Sequence, residues 1–185
     1  MVAKINVGSS LFGALAYNQN KVDEEQGKVL FSNRMFESED GNFNIHRCME
    51  SFEMQLPQDI KTEKPIIHIS LNPHPDDKLS DEQLSEIAQE YMEKLERFVA
   101  DWKDTFPETQ ESAITDIYNE IKLPARATAG SAGYDFYAPV DLTLNPGETV
   151  KIPTGIRVEM EQDWVLKCYP RSGLGFKYRL QLNNT

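Results

Sequence analysis

Cysteine is nearly missing from this chain: Cys48 and Cys168 are the only two, separated by most of its length. Two distant thiols argue against a disulfide framework and against a cysteine-based zinc cluster. Long apolar runs are also lacking, since nothing approaches the roughly 18 to 20 consecutive residues of a membrane helix. The N-terminal stretch MVAKINVGSSLFGALAYNQN does not have the layout of a signal peptide. The expectation from these absences is a protein of the reducing cytoplasm with no membrane partner. Positive charge is scarce too, with 19 Lys and Arg against 30 Asp and Glu in 185 residues, a net charge of -11. The deficit lies mainly in residues 1–100, which hold 10 basic against 18 acidic side chains, while 101–185 hold 9 against 12. No carboxylate side chain follows Asp163, and the only charged side chains from Lys167 onward are Lys167, Arg171, Lys177 and Arg179. Anions are drawn to this last stretch and repelled by much of the rest.

What is present divides into two kinds of text, with 39% hydrophobic residues to build cores from. Residues 1–79 alternate short apolar runs such as VLFSN and PIIHISL with polar loops. The run Ile66 to Leu71, between Pro65 and Asn72-Pro73, predicts a buried strand. Ser80 followed by Gln83 is a capping-box signature, and Leu84, Ile87, Ala88, Tyr91, Leu95, Phe98 and Trp102 recur at helical spacing. A long amphipathic helix is expected there, ended by Asp104-Thr105-Phe106-Pro107, with a shorter one carrying Ala113, Ile114, Ile117, Tyr118 and Ile121. After Lys122 the pattern is that of a β protein. YDFYA, ETVKI, GIRVEM and WVLKCY are the candidate strands, punctuated by Ala-Gly, Asn-Pro-Gly and Pro-Thr-Gly turns. Fewer than 65 residues follow Lys122, so such a sheet would have open edges unless something pairs with them.

Two elements in this region carry chemistry. In Pro170-Arg171-Ser172-Gly173-Leu174-Gly175, the guanidinium brings permanent charge, the hydroxyl one more donor, and the glycines let the main chain approach an anion. A tight loop of this kind suits a polyphosphate. The competing reading is a β-turn with an exposed Arg and Ser. Upstream stands the glycine-rich stretch Leu123-Pro-Ala-Arg-Ala-Thr-Ala-Gly-Ser-Ala-Gly-Tyr-Asp-Phe-Tyr-Ala138, and between the two lies Pro153-Thr-Gly-Ile156. In these three places the chain resembles the trimeric dUTP diphosphatases, from about Arg97 to Thr185. The resemblance implies a β-sandwich or jelly-roll domain, a homotrimer, and hydrolysis of dUTP to dUMP and pyrophosphate. It implies Arg171, Ser172 and Gly173 as holders of the triphosphate. Asp135 becomes a carboxylate supporting the phosphate end, although an Asx-turn would also account for it. Mg2+ is expected through phosphate oxygens and water, with no protein-only metal site. The family's later motifs supply the uracil-reading hairpin, the water-positioning aspartate and a closing C-terminal arm. The sequence reaches Gln181-Leu-Asn-Asn-Thr185 where the third motif should begin, so the expectation is family likeness without competent turnover.

The first half resembles the N-terminal part of mobilisation relaxases, which nick DNA with a tyrosine. The residues concerned are Gly13-Ala-Leu-Ala-Tyr17-Asn-Gln-Asn-Lys21-Val and Ile67-His-Ile-Ser-Leu-Asn-Pro-His74-Pro-Asp-Asp. The resemblance implies Tyr17 as nucleophile and DNA as partner; an ordinary core or surface aromatic is the other reading of Tyr17. Relaxases need a histidine cluster for a divalent ion, and that motif is not found here. His68, His74, Asp76 and Asp77 do not have ligand spacing, and a net charge of -8 over residues 1–100 disfavours tight binding to a duplex.

The sequence therefore predicts an α+β chain: a relaxase-like fragment over 1–96, a helical lead-in over 97–122, and a partial dUTPase-like β domain over 123–185. The apolar stripe from Leu84 to Trp102 runs through the first join unbroken. A dUTP diphosphatase-like hydrolase is the leading function, a relaxase-like nickase the alternative, and a non-catalytic fusion, truncation or chimera the third.

Overall fold

The computed structural model describes residues 2–32, 35, 44–55, 66–74 and 76–183. Asn33 of VLFSN, together with Pro65 and Pro75, lies outside them. Two compact units are found, Met1–Gly155 and Ile156–Thr185. The first contains strand β1 (Val2–Gly8), helix α1 (Leu11–Asp23), helix α2 (Ile45–Gln55), strand β2 (Ile66–Asn72), helix α3 (Asp81–Thr105) and helix α4 (Glu111–Glu120). The second contains helix α5 (Ser172–Tyr178). The chain is of mixed α+β type, with helix dominating.

β1 and β2 pair antiparallel in a two-stranded sheet, Ile5 opposite Ile69 and Asn6 opposite His68. The strand expected at Ile66 to Leu71 is there, but it is half-buried where a buried one was expected. A two-stranded ribbon has no interior strand, and α1 is the helix that packs on β2. Ser10 opens α1 as its N-cap, its hydroxyl accepting from the Gly13 N–H at 3.0 Å. On α2, Cys48 and Ser51 are buried.

α3 forms for the reasons its sequence announces. The Ser80 hydroxyl accepts from the Gln83 amide at 3.2 Å, and the Gln83 side chain accepts from the Ser80 amide at 2.9 Å. Asp81 and Glu82 occupy the positive end of the helix, and Lys103 lies in its last turn. The backbone hydrogen bond, then the Ser80 hydroxyl, hold the Glu82 carboxyl below its ordinary range. Its contribution is thus present above the usual carboxylate pKa and is lost as pH falls through the lowered value. Lys28 pairs with Asp81, tying the loop after α1 to the start of α3. The helix stops at Phe106, whose N–H donates to the Trp102 carbonyl at 2.8 Å, just before Pro107.

The apolar stripe of α3 meets α4 in an αα-hairpin. Phe98, Trp102 and Ile114 are buried at its centre, with Val99, Phe106, Ile117, Tyr118, Ile121 and Val140 packed around them. Ring centroids lie 5.5 Å apart for Phe98–Trp102, 5.3 Å for Phe98–Tyr118 and 5.1 Å for Trp102–Phe106. At the outer edge Tyr91 and Tyr118 meet edge-on at 5.8 Å, and burial raises both phenols above their ordinary pKa. The Tyr91 hydroxyl donates to Asn119 Oδ1 at 3.0 Å.

Beyond Lys122 the expected strands do not form. Among the described residues YDFYA, ETVKI, GIRVEM and WVLKCY lie outside any sheet, and the ladder is reduced to one isolated antiparallel bridge, Ala125 with Asp135. Strand-forming text needs a neighbour along its length to build a ladder, and beyond that one bridge these segments form none among the described residues. The PRSGLG segment also departs from the expected loop. With no ladder available, residues 172–178 satisfy their backbone locally as a short helix.

Candidate functional site

The glycine-rich stretch in the first unit is a hairpin-like loop. At its base the Asp135 N–H donates to the Ala125 carbonyl at 2.9 Å, so Ala125 and Asp135 face each other. One residue further in on each arm, the Arg126 guanidinium lies over the Tyr134 ring, 5.2 Å from its centroid. At the tip the Ser131 N–H donates to the Thr128 carbonyl at 3.0 Å, and the Thr128 and Ser131 hydroxyls are 2.9 Å apart. A Cβ added at Gly130 or Gly133 would meet nothing within 4 Å, so the tip leaves the main chain open to approach. Asp135 is half-buried at the base of this loop.

Further along, Gly155 closes the Pro-Thr-Gly turn at φ 68°, in the left-handed region that glycine favours. Its Cα faces the hairpin core, where a Cβ would stand 3.2 Å from two ring carbons of Phe98 and 2.4 Å from the Ile121 terminal methyl. The turn motif is thus a packing device for α3 and α4. The sequence marked the turn, but not its partner Phe98.

The other three predicted residues are in the second unit. Arg171 is extended, at φ -61° and ψ 136°, and caps α5 without a side-chain cap bond. Its carbonyl accepts from the amides of Leu174 at 2.9 Å and Gly175 at 3.1 Å. Arg171, Ser172 and Gly173 are all exposed, and a Cβ on Gly173 would meet nothing within 4 Å. α5 ends at Arg179 in the left-handed conformation, φ 57°, whose N–H donates to the Gly175 carbonyl at 3.1 Å.

Tyr17 lies on α1, half exposed at 52%. Lys21, one turn on, places its ammonium 4.7 Å from the Tyr17 ring centroid, and the His68 ring on β2 is 6.5 Å away, tilted by 57°. Nothing in the sequence joins Tyr17 to His68. The i, i+4 spacing of Tyr17 and Lys21 is the signal that links the lysine to the phenol. His74 instead belongs to a turn: its N–H donates to Asp77 Oδ2 at 2.9 Å, and its Nδ1 lies 3.4 Å from Asp76 Oδ2. Among the described residues no three His, Cys, Asp or Glu side chains converge as a metal site.

Comparison with known proteins divides the chain into an earlier and a later part. Residues 119–183 match the dUTPase family, and residues 17–99 match the family of MobA/VirD2-like relaxases, in its nuclease domain. The later part is thus similar to dUTPases and the earlier part to relaxases. Among individual relatives, the deoxyuridine 5'-triphosphate nucleotidohydrolase of Shewanella baltica (strain OS155 / ATCC BAA-1091) is 51% identical over 71 residues, 37% of this chain and 47% of the relative. That of Caldanaerobacter subterraneus subsp. tengcongensis is 42% identical over 73 residues, 38% of this chain and 49% of the relative. That of Janthinobacterium sp. (strain Marseille) is 42% identical over 79 residues, covering 41% and 53% respectively. The chain spans about half the length of the curated relatives it matches. No solved structure matches it.

Proposed function

We propose that residues 123–185 form part of a dUTP diphosphatase-like site that holds the triphosphate of dUTP. The match of residues 119–183 to the dUTPase family carries this reading, because it contains both the glycine-rich loop and the Arg171-Ser172-Gly173 segment. Arg171 supplies a forked, permanently charged donor, Ser172 a hydroxyl, and Gly173 a main chain free of Cβ obstruction. The lack of carboxylate side chains after Asp163 keeps the surrounding potential favourable to an anion. Mg2+ enters this reading as part of the substrate, carried on the triphosphate. A single carboxylate such as Asp135 suits an ion that keeps its water and phosphate ligands. The jelly-roll domain, the homotrimer and the cytoplasmic setting belong to the same proposal, as do the boundaries 1–96, 97–122 and 123–185.

The chemistry asked of this half is grip. Equilibrium dialysis with Mg2+ and labelled dUTP should show saturable binding that Arg171→Ala weakens on the order of tenfold or more, since hydrogen bonds to charged groups contribute about 1.5 to 3 kcal/mol. Ser172→Ala should weaken it less. Release of pyrophosphate is measured in the same samples. Absence of both binding and release would sink the reading.

A second reading rests on Tyr17, which stands half exposed beside Lys21 and His68 in the stretch matching relaxases. If this part nicks DNA, denaturing electrophoresis of a labelled single strand carrying a transfer origin should show a covalent adduct with a divalent ion present. Tyr17→Phe should abolish it. Adduct formation by the Phe variant would count against Tyr17 as nucleophile.

A further inference from the structure

Tyr17 meets two side chains to which its reading as a nucleophile gives no task, Lys21 and His68. Lys21 is fixed beside it by the helix, since residues four apart are neighbours on one face of α1, and its ammonium comes to rest 4.7 Å from the phenol ring centroid. That ammonium is in no ion pair among the described residues. Asp23, the nearest carboxylate in sequence, instead accepts from the Gln19 side-chain amide at 2.8 Å. Elsewhere in the first half, Lys28 pairs with Asp81 and Lys94 with Glu90. The His68 ring approaches from β2, 6.5 Å from the phenol ring and tilted by 57°. Helix and strand therefore bring a half-exposed phenol, an ammonium and an imidazole to one place.

A phenol that attacks a phosphodiester gains from a cation beside it. Attack joins the phenol oxygen to phosphorus, breaks the bond from phosphorus to one ester oxygen of the strand, and sends the phenol's proton by way of water to the departing oxygen. Negative charge gathers on the two non-bridging oxygens as this happens, and a positive group already in place stabilises it. We infer that Lys21 holds the phosphate under attack, its ammonium donating to a non-bridging oxygen of single-stranded DNA brought to Tyr17. The inference rests on the relaxase-like reading of residues 17–99. Charge selects this lysine. Residues 1–100 carry 18 acidic against 10 basic side chains, so a phosphate is repelled by most of this half. It settles where an ammonium without a carboxylate partner among the described residues is offered. The competing account is a surface cation–π contact that steadies α1 and does nothing more.

The test compares the full chain with Lys21→Met and Lys21→Arg on one labelled single-stranded oligonucleotide carrying a transfer origin, with a divalent ion present. Methionine keeps a straight, helix-compatible stem without the charge, and arginine keeps the charge. Fluorescence anisotropy across a salt series should show Lys21→Met binding on the order of tenfold more weakly, with the log-log salt slope smaller by about 0.7, the share of one phosphate contact on a single strand. The rate of covalent adduct formation on denaturing gels should fall by about tenfold or more, and Lys21→Arg should recover most of both. If the contact only steadies α1, Lys21→Met lowers the thermal midpoint but leaves the salt slope and the adduct rate unchanged, and that result would overturn the inference. Adduct formation by Lys21→Met at the rate of the unaltered chain overturns it too, while leaving Tyr17 as nucleophile. A lowered salt slope with no adduct from any of the three proteins upholds Lys21 as a phosphate contact and defeats the nicking reading instead. Neither binding nor adduct with the unaltered chain defeats both.

Discussion

Trp102→Ala is expected to destabilise the first unit by about 3 to 5 kcal/mol, the range for removing a large aromatic from a packed core. Trp102 is 3% exposed and lies between the rings of Phe98 and Phe106 on the last turns of α3. Single domains are stable by only about 5 to 15 kcal/mol, so this one truncation removes a large share. Chemical denaturation followed by far-UV circular dichroism reads the effect without depending on indole fluorescence, which Trp164 would complicate. Trp102→Phe is the informative companion. The indole Nε1 is buried without a hydrogen-bond partner, and a buried unsatisfied donor costs about 1 to 3 kcal/mol. Phenylalanine leaves a smaller ring but removes that donor, so its loss should be well below that of alanine. An alanine variant with an unchanged midpoint would show that the α3–α4 hairpin does not hold the unit together.

Gly155→Ala should have the next largest effect, and for two separable reasons. At φ 68° an L side chain costs about 1 to 2 kcal/mol in the left-handed region. The added Cβ would also stand 3.2 Å from the Phe98 ring and 2.4 Å from the Ile121 Cδ1. The Ile121 methyl can swing aside, but the buried Phe98 ring has little room, and overpacking costs typically about 1 to 3 kcal/mol. Gly147→Ala isolates the backbone part, because Gly147 lies at φ 87° and a Cβ added there would meet nothing within 4 Å. The prediction is a loss of about 2 to 4 kcal/mol at Gly155 and roughly half of that at Gly147. Equal losses at the two glycines would mean that packing against Phe98 contributes nothing.

α3 and α4 were legible because their causes are local, whereas α1, α2 and α5 were not anticipated. Ser80 and Gln83 cap α3 through bonds three residues apart, and the residues at helical spacing from Leu95 to Trp102 become its buried face. α4 followed from the same periodicity. The β region was not legible in the same way, because a strand is fixed by its neighbour and no pattern in WVLKCY or ETVKI supplies one. The likeness of residues 119–183 to dUTPases was readable from Gly133-Tyr134-Asp135 and Pro170 to Gly173 as short strings. The contacts around them were not. Arg126 over Tyr134 and Gly155 against Phe98 join residues whose spacing carries no period, so only the folded chain brings them to notice.

The relaxase-like match ends at residue 99, and that boundary falls inside α3, between Phe98 and Trp102. Kinship and architecture therefore divide the chain at different places. α3 is a single hydrogen-bonded rod of 25 residues, about 37 Å long at about 1.5 Å per residue. A cut at the family boundary would leave Phe98 on one piece and Trp102 on the other, and would take from α4 half of the surface it folds against. The rod against which α4 packs therefore begins at the Ser80 cap, inside the stretch similar to relaxases, although α4 itself lies after it.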